Sequence, residues 1–95
     1  MEFLNVVTRG EKGIEFRLEE FGVPKESPFA NHTIAELHIG EKTGAMVLAI
    51  RTSEGRFDTT PSAQDVIRTG DTLIVLGARD QVDRLEALLR GQHPS

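Results

Sequence analysis

The sequence predicts an α+β domain in the order strand, helix, three strands, helix (β-α-β-β-β-α). Three observations carry that prediction. "IEFRLEEF" alternates apolar and polar residues, "TIAEL" begins on a Thr with a Glu three residues later, and "TLIVLG" runs directly into a leucine-striped helix.

Near the start, "EFLNVV" puts Phe3, Leu4, Val6 and Val7 on roughly one helical face, closed by Gly10 and Gly13. This lead-in either packs on its own domain or is the stump of a longer chain. In the following strand Ile14, Phe16 and Leu18 share one face and Glu15, Arg17 and Glu19 the other, the pattern of a strand with one wet side. Pro24 and Pro28 close it. Thr33 is then the expected N-cap of a helix and Glu36 its capping-box partner, with Ile34, Leu37 and Ile39 on the buried stripe. Gly40 and Gly44 limit this helix to about two turns and a connector.

Ala45 to Ile50 are apolar at every position, as in a central strand covered on both faces. Arg56 to Thr60 read as the returning strand of a hairpin, cut short by Pro61, which cannot donate to a ladder. Ser62 is the expected cap of a single turn, "AQDVI", and the Gly70-Asp71 turn feeds a strand from Thr72 to Leu76. Asp80 is the expected cap of the last helix, whose stripe is Val82, Leu85, Leu88 and Leu89 and whose end is Gly91. The domain boundaries expected are 1–13 for the lead-in helix and linker, 14–91 for the domain and 92–95 for a flexible tail.

Composition narrows the function. At 95 residues the chain makes one domain with a modest core, so pairing with a second copy would help it. The net charge is −4, and the basic residues are scattered among fifteen acidic ones, which is not the footprint of a nucleic-acid binder. The absence of Cys removes disulfides, thiolate metal sites and thiol nucleophiles. The longest apolar run, Ala45 to Ile50, is too short to cross a bilayer. No nucleophile elbow, paired-carboxylate motif or metal triad is present, so the chain is expected not to be an enzyme. A dinucleotide fingerprint needs three glycines where strand turns into helix; here there is one, Gly77, and no P-loop Lys follows it.

The run "SPFANHTIAELHIGEKTGAMVLAIRTSEGRFDTTPSAQDVIRTGDTLIVLGARDQVDRLEALL" resembles the C-terminal lobe of RCK domains, the TrkA-C domain of potassium channels and transporters. The pattern is a Thr-hydrophobic-x-Glu-Leu helix, an apolar strand ending near Arg, then Gly, Pro, "GD", an apolar strand, Gly and a Leu-rich helix. The resemblance implies a cytoplasmic homodimer at the inner face of the membrane. It implies partners in an RCK N-terminal lobe and a channel or transporter subunit, and a role in gating without nucleic-acid binding or membrane insertion. A passive assembly module with the same fold and no ligand is the alternative. The chain is then either an excised lobe or a free-standing subunit.

One family ligand is cyclic di-AMP, and the family positions that hold it fall here on Gly40, Met46, Val47 and Pro61. The family's Arg and Asn are replaced by Gly40 and Met46, so an anionic ligand loses charge-assisted contacts typically worth ~1.5–3 kcal/mol each. Divalent cations are the other family ligand class. His32 and Glu36 sit four apart, with His38 and Glu41 nearby, a sparse first shell; the plainer reading is a set of surface groups beside a helix cap. Glu54, Asp58 and Asp65 read as turn and cap residues, and Met46 as core packing.

Overall fold

The computed structural model describes residues 5–9 and 15–92. Ten short elements follow one another: β1 (Asn5–Arg9), β2 (Glu15–Gly22), β3 (His32–Thr33), α1 (Ile34–Leu37), α2 (Ile39–Thr43), β4 (Met46–Arg51), β5 (Phe57–Asp58), β6 (Val66–Ile67), β7 (Thr72–Ala78) and α3 (Arg79–Leu89). The main sheet has the order β1-β2-β7-β4-β5, with every neighbouring pair antiparallel, and β3 pairs with β6 in a small second sheet. The expected α+β architecture is therefore present, with a central strand, β7, that the chain reaches late.

Alternation along β7 separates its two faces. Leu73 and Val75 point into the core, where they meet Phe21, Val47, Ile50 and the α3 stripe of Val82, Leu85 and Leu89, all three fully buried. On the opposite face Ile74 and Leu76 stand in register with Glu20 and Leu18 of β2 and with Ala49 and Met46 of β4. An Arg51 to Glu20 ion pair at 3.2 Å crosses from β4 to β2, and the Arg51 guanidinium also lies 5.7 Å from the Phe57 ring centre.

The last helix is fastened at both ends. At its start the Gln81 side chain accepts from the Ala78 N–H at 2.8 Å. At its end Gly91 takes φ 79°, with Gly91 N–H donating to Leu88 and Gln92 N–H to Ala87, the Schellman arrangement. The buried Ser27 hydroxyl donates to the Leu89 carbonyl and accepts from the Phe29 N–H, so a helix-end carbonyl is satisfied from 62 residues away. The Thr33–Glu36 capping box forms as the sequence predicts, with Glu36 N–H to Thr33 Oγ1 at 3.1 Å and Thr33 N–H to Glu36 at 2.8 Å.

Several expectations need correction. The lead-in is a strand and not a helix: β1 pairs antiparallel with β2 from Asn5↔Glu19 to Arg9↔Glu15. Consecutive Val6, Val7 and Thr8 favour extended backbone, and pairing satisfies an edge that β2 would otherwise expose. Phe3, Leu4, Gly10, Gly13 and Ile14 lie outside the described residues. The face of β2 expected to be wet is the better covered one: Phe16 is exposed, while Glu15, Arg17 and Glu19 are half-buried and paired with one another. The "AQDVI" turn contains a strand, since Val66–Ile67 pair with His32–Thr33; burying Ile67 completely outweighs the local helical reading. Asp80 is not the N-cap, because Gln81 reaches back to Ala78; Asp80 sits one turn from Arg84, at 3.5 Å. The helix after Thr33 breaks at His38, which adopts φ 49°, so Gly40 lies inside α2 and Gly44 alone ends it. β4 is covered on both faces only in its second half, and Met46, expected in the core, is 58% exposed. Of the expected tail, Gln92 is tied to Ala87, and 93–95 lie outside the described residues.

Two predictions arise from these fastenings. Ser27→Ala strands the Leu89 carbonyl and the Phe29 N–H, so a loss of about 1–3 kcal/mol is expected in urea unfolding; an unchanged midpoint would remove this link from the account. The Thr33 backbone N–H holds the Glu36 carboxyl below its ordinary value of 4.5. Because the folded value is lowered, the contribution of Glu36 is fully present above pH 4.5 and fades as pH falls through the folded value. The melting temperature of Glu36→Gln should therefore lie below that of the unaltered chain at pH 7 and approach it at pH 3.

Candidate functional site

A cavity of about 540 Å³ opens where α1, α2, the start of β4 and the Pro61–Ala63 segment meet. Its walls come from interruptions in the secondary structure. The left-handed residue His38 swings α2 away from α1, and Gly44, at φ 80°, turns the chain from α2 into β4. The opposite wall is pinned to the start of α1 by two backbone bonds, Ile34 N–H to Asp65 at 3.1 Å and Ala35 N–H to Ala63 at 2.8 Å. Below the floor, Gly77 lets β7 approach the α2–β4 junction, since an added Cβ would lie 3.3 Å from Ala45 Cα.

Gly40, Met46, Val47 and Pro61, separated by up to 21 positions in sequence, all line this cavity. Ile34, Ala35, Ile39, Ala45 and Ala63 complete a mainly apolar wall, and Ser62, His38 and Glu41 supply the polar side chains. His38 Nδ1 lies 2.8 Å from the Glu41 carboxylate, and both side chains are exposed at the mouth. No Lys or Arg is among the lining residues. The size falls in the range that holds small organic ligands, roughly 300–1,000 Å³.

Local sequence reasoning missed Ile34, Ala35 and Ala63 as lining residues, because their role depends on the backbone bonds that bring 61–65 against α1. The β3–β6 pairing that makes this contact consists of two short strands without an alternating signal of their own.

The metal candidates behave differently. His32 Nδ1 and Glu36 Oε1 are 3.5 Å apart on an exposed surface, and the same Glu36 oxygen already accepts from the Thr33 N–H. Neither residue lines the cavity, and among the described residues no three His, Cys, Asp or Glu side chains gather as a metal site. A second cavity of about 380 Å³ includes Glu54, Asp58, Asp65, Arg68 and Asp71. Its carboxylates brace turns: Asp58 accepts from Thr60 N–H, Asp65 from Ser62 N–H and Asp71 from Arg68 N–H, each near 3 Å. The Ser62 N–H, followed by the Asp58 side chain, also holds the Asp65 carboxyl below its ordinary value.

Comparison with known proteins places this geometry in a family. The TrkA-C domain family matches residues 18–90. Potassium channel protein 1 of Methanocaldococcus jannaschii is 28% identical over 91 residues, covering 96% of this chain and 26% of that protein. Probable potassium channel protein 2 of the same organism is 27% identical, covering 95% of this chain and 27% of that protein. The chain thus spans about a quarter of either relative.

Among solved structures, the RCK_C domain dimer of S. agalactiae BusR in complex with c-di-AMP is 31% identical, with a TM-score of 0.68, covering 74% of this chain and 85% of that one. The GsuK channel bound to NAD is 26% identical with a TM-score of 0.72, covering 97% of this chain and 16% of that one. BusR has also been solved in complex with its busA-promotor DNA; that chain is 28% identical, with a TM-score of 0.72 over 81% of this chain and 38% of that one. A sheet and closing helix of this order, matched across 18–90 and over most of the BusR domain, make the chain a member of the TrkA-C domain family, the C-terminal lobe of RCK domains.

Proposed function

We propose that this chain is the regulatory lobe of a potassium channel or potassium transporter, acting as a homodimer whose geometry a small ligand biases. The observation that carries the proposal is the convergence of Gly40, Met46, Val47 and Pro61 on one apolar cavity of ligand size. Family membership supports it, as do the channel relatives and the ligand complexes of BusR and GsuK. The lobe proper is taken as 14–91. Its partners are a second copy, an RCK N-terminal lobe and a membrane subunit, which would hold it at the inner face of the membrane.

The physical requirement on such a sensor is simple. A ligand shifts the dimer only as far as it binds one arrangement better than the other. The cavity suits this role because its walls are separate short elements joined at His38 and Gly44, so ordering them with a ligand changes how β4 presents Met46 at the surface. Scattered basic residues and a net charge of −4 give no reason to assign DNA contact to this lobe. Catalysis is not part of the proposal.

The passive assembly module is the second reading, and one feature favours it: the lining has no cation to hold a nucleotide phosphate. Light scattering and thermal melting separate the two. A concentration-dependent dimer is expected, together with a rise of several degrees in its melting temperature with at least one compound from a panel of cyclic di-AMP, NAD, divalent cations and neutral or cationic aromatic compounds. A chain that stays monomeric at high concentration would sink the homodimer, and a dimer indifferent to the whole panel would leave only the assembly role.

A further inference from the structure

We infer that the α1–β4 cavity takes a ligand with an apolar ring body and a neutral or positively charged polar end, and discriminates against phosphate-bearing nucleotides. This rests on the cavity being the regulatory site and names the ligand class for it.

The charge inventory leads there. Of the thirteen residues lining the cavity, ten are apolar or glycine. The remaining three are Ser62, His38 and Glu41. A phosphate placed here would face the Glu41 carboxylate and apolar walls, with His38, already 2.8 Å from that carboxylate, as the single imidazole and no Lys or Arg to receive it.

The same inventory favours the opposite ligand. Apolar walls of this extent reward a ring body by burying it. The Glu41 carboxylate, 2.8 Å from His38 at the mouth, accepts hydrogen bonds from a donor or cation arriving beside the ring. Met46, 58% exposed at the rim, is an unbranched thioether that can fold over such a ring and contact its edge. The structure also shows where the discrimination is encoded. Gly40 sits in ordinary helical backbone, and a Cβ built there meets nothing within 4 Å. The backbone at Gly40 therefore accepts a Cβ without a clash.

The test uses one ring body at three charges: tryptamine (cation), tryptophol (neutral) and indole-3-propionate (anion), titrated calorimetrically into the chain at pH 7. Tryptamine and tryptophol are expected to bind, and the anion at least about tenfold more weakly, the scale of one charge-assisted contact. Gly40→Arg should raise affinity for the anion by about tenfold and erase the preference. Ala63→Trp, an exposed position on the cavity wall, should abolish binding of all three.

An unaltered chain that prefers the anion, or that binds none of the three, overturns the inference. In either case the regulatory cavity still stands if Ala63→Trp removes binding of the anion, or removes stabilisation of the dimer by cyclic di-AMP or NAD. If Ala63→Trp alters no ligand response, the cavity falls as the sensing site as well.

Discussion

The arrangement depends most on the close approach between the α2–β4 junction and the β7–α3 junction. Gln81 occupies the space that side chains at Gly44 and Gly77 would need: a Cβ at Gly44 would lie 2.6 Å from its amide nitrogen, and one at Gly77 3.2 Å from its amide oxygen. The same amide oxygen accepts from Ala78 N–H and so begins α3. One side chain thereby starts the core helix and sets how closely α2 lies on it. Thr43 secures the approach from the other side, its buried hydroxyl donating to Ile39 and accepting from Ala45 N–H. Since Gly44 and Ala45 are also cavity wall, the shape of the site is inherited from the packing of the core.

The cavity exists because regular structure stops early on this side of the domain. A continuous helix from Thr33 to Thr43 would carry α2 along the axis of α1 and close the space now opened by the left-handed turn at His38. β4 behaves similarly. Its register shifts between Val47 and Ala49, and β5 pairs only with Ile50 and Arg51, leaving the outer edge of its first half without a strand partner among the described residues. Met46, at the start of this half, is 58% exposed. Short elements held by side-chain and backbone braces, with few long ladders of their own, sit at the low-stability end of a domain, where a ligand can order them.

Much of the fold was legible in the sequence, for identifiable reasons. The capping box, the extended run of β2, the apolar run of β7 and the leucine stripe of α3 are local patterns whose physical cause lies within a few residues, although which face of β2 is wet was not legible from its alternation. What escaped was decided at long range. β1 reads equally as half a helix until β2 offers it an edge, and β6 reads as a turn until Ile67 finds the core. Asp80 is a better cap than Ala78 by residue type, yet Gln81 satisfies the helix from inside, a choice that requires knowing what lies over Gly44 and Gly77. For the candidate site, family position picked out Gly40, Met46, Val47 and Pro61, which line one cavity, but gave no sign that Ile34, Ala35 and Ala63 share their wall. That information lies in the 61–65 backbone bonds to α1.

Membership in a family does not fix the chemistry of a pocket. In this chain Leu73, Val75, Val82, Leu85 and Leu89 of the core lie away from the cavity, whereas Ile39 and Ala45 belong to both core and wall, so the site varies freely only at its exposed wall positions. A Gly at position 40 or a Met at position 46 costs the core nothing, since both lie on exposed surface. On the family resemblance these are the positions whose Arg and Asn would hold an anionic nucleotide, and a phosphate here would lack those charge-assisted contacts. Shape complementarity alone would therefore leave the site accepting the ring of a nucleotide while rejecting its charge. For that reason the ligand class is better argued from the charge of the lining than from the relatives that share the fold.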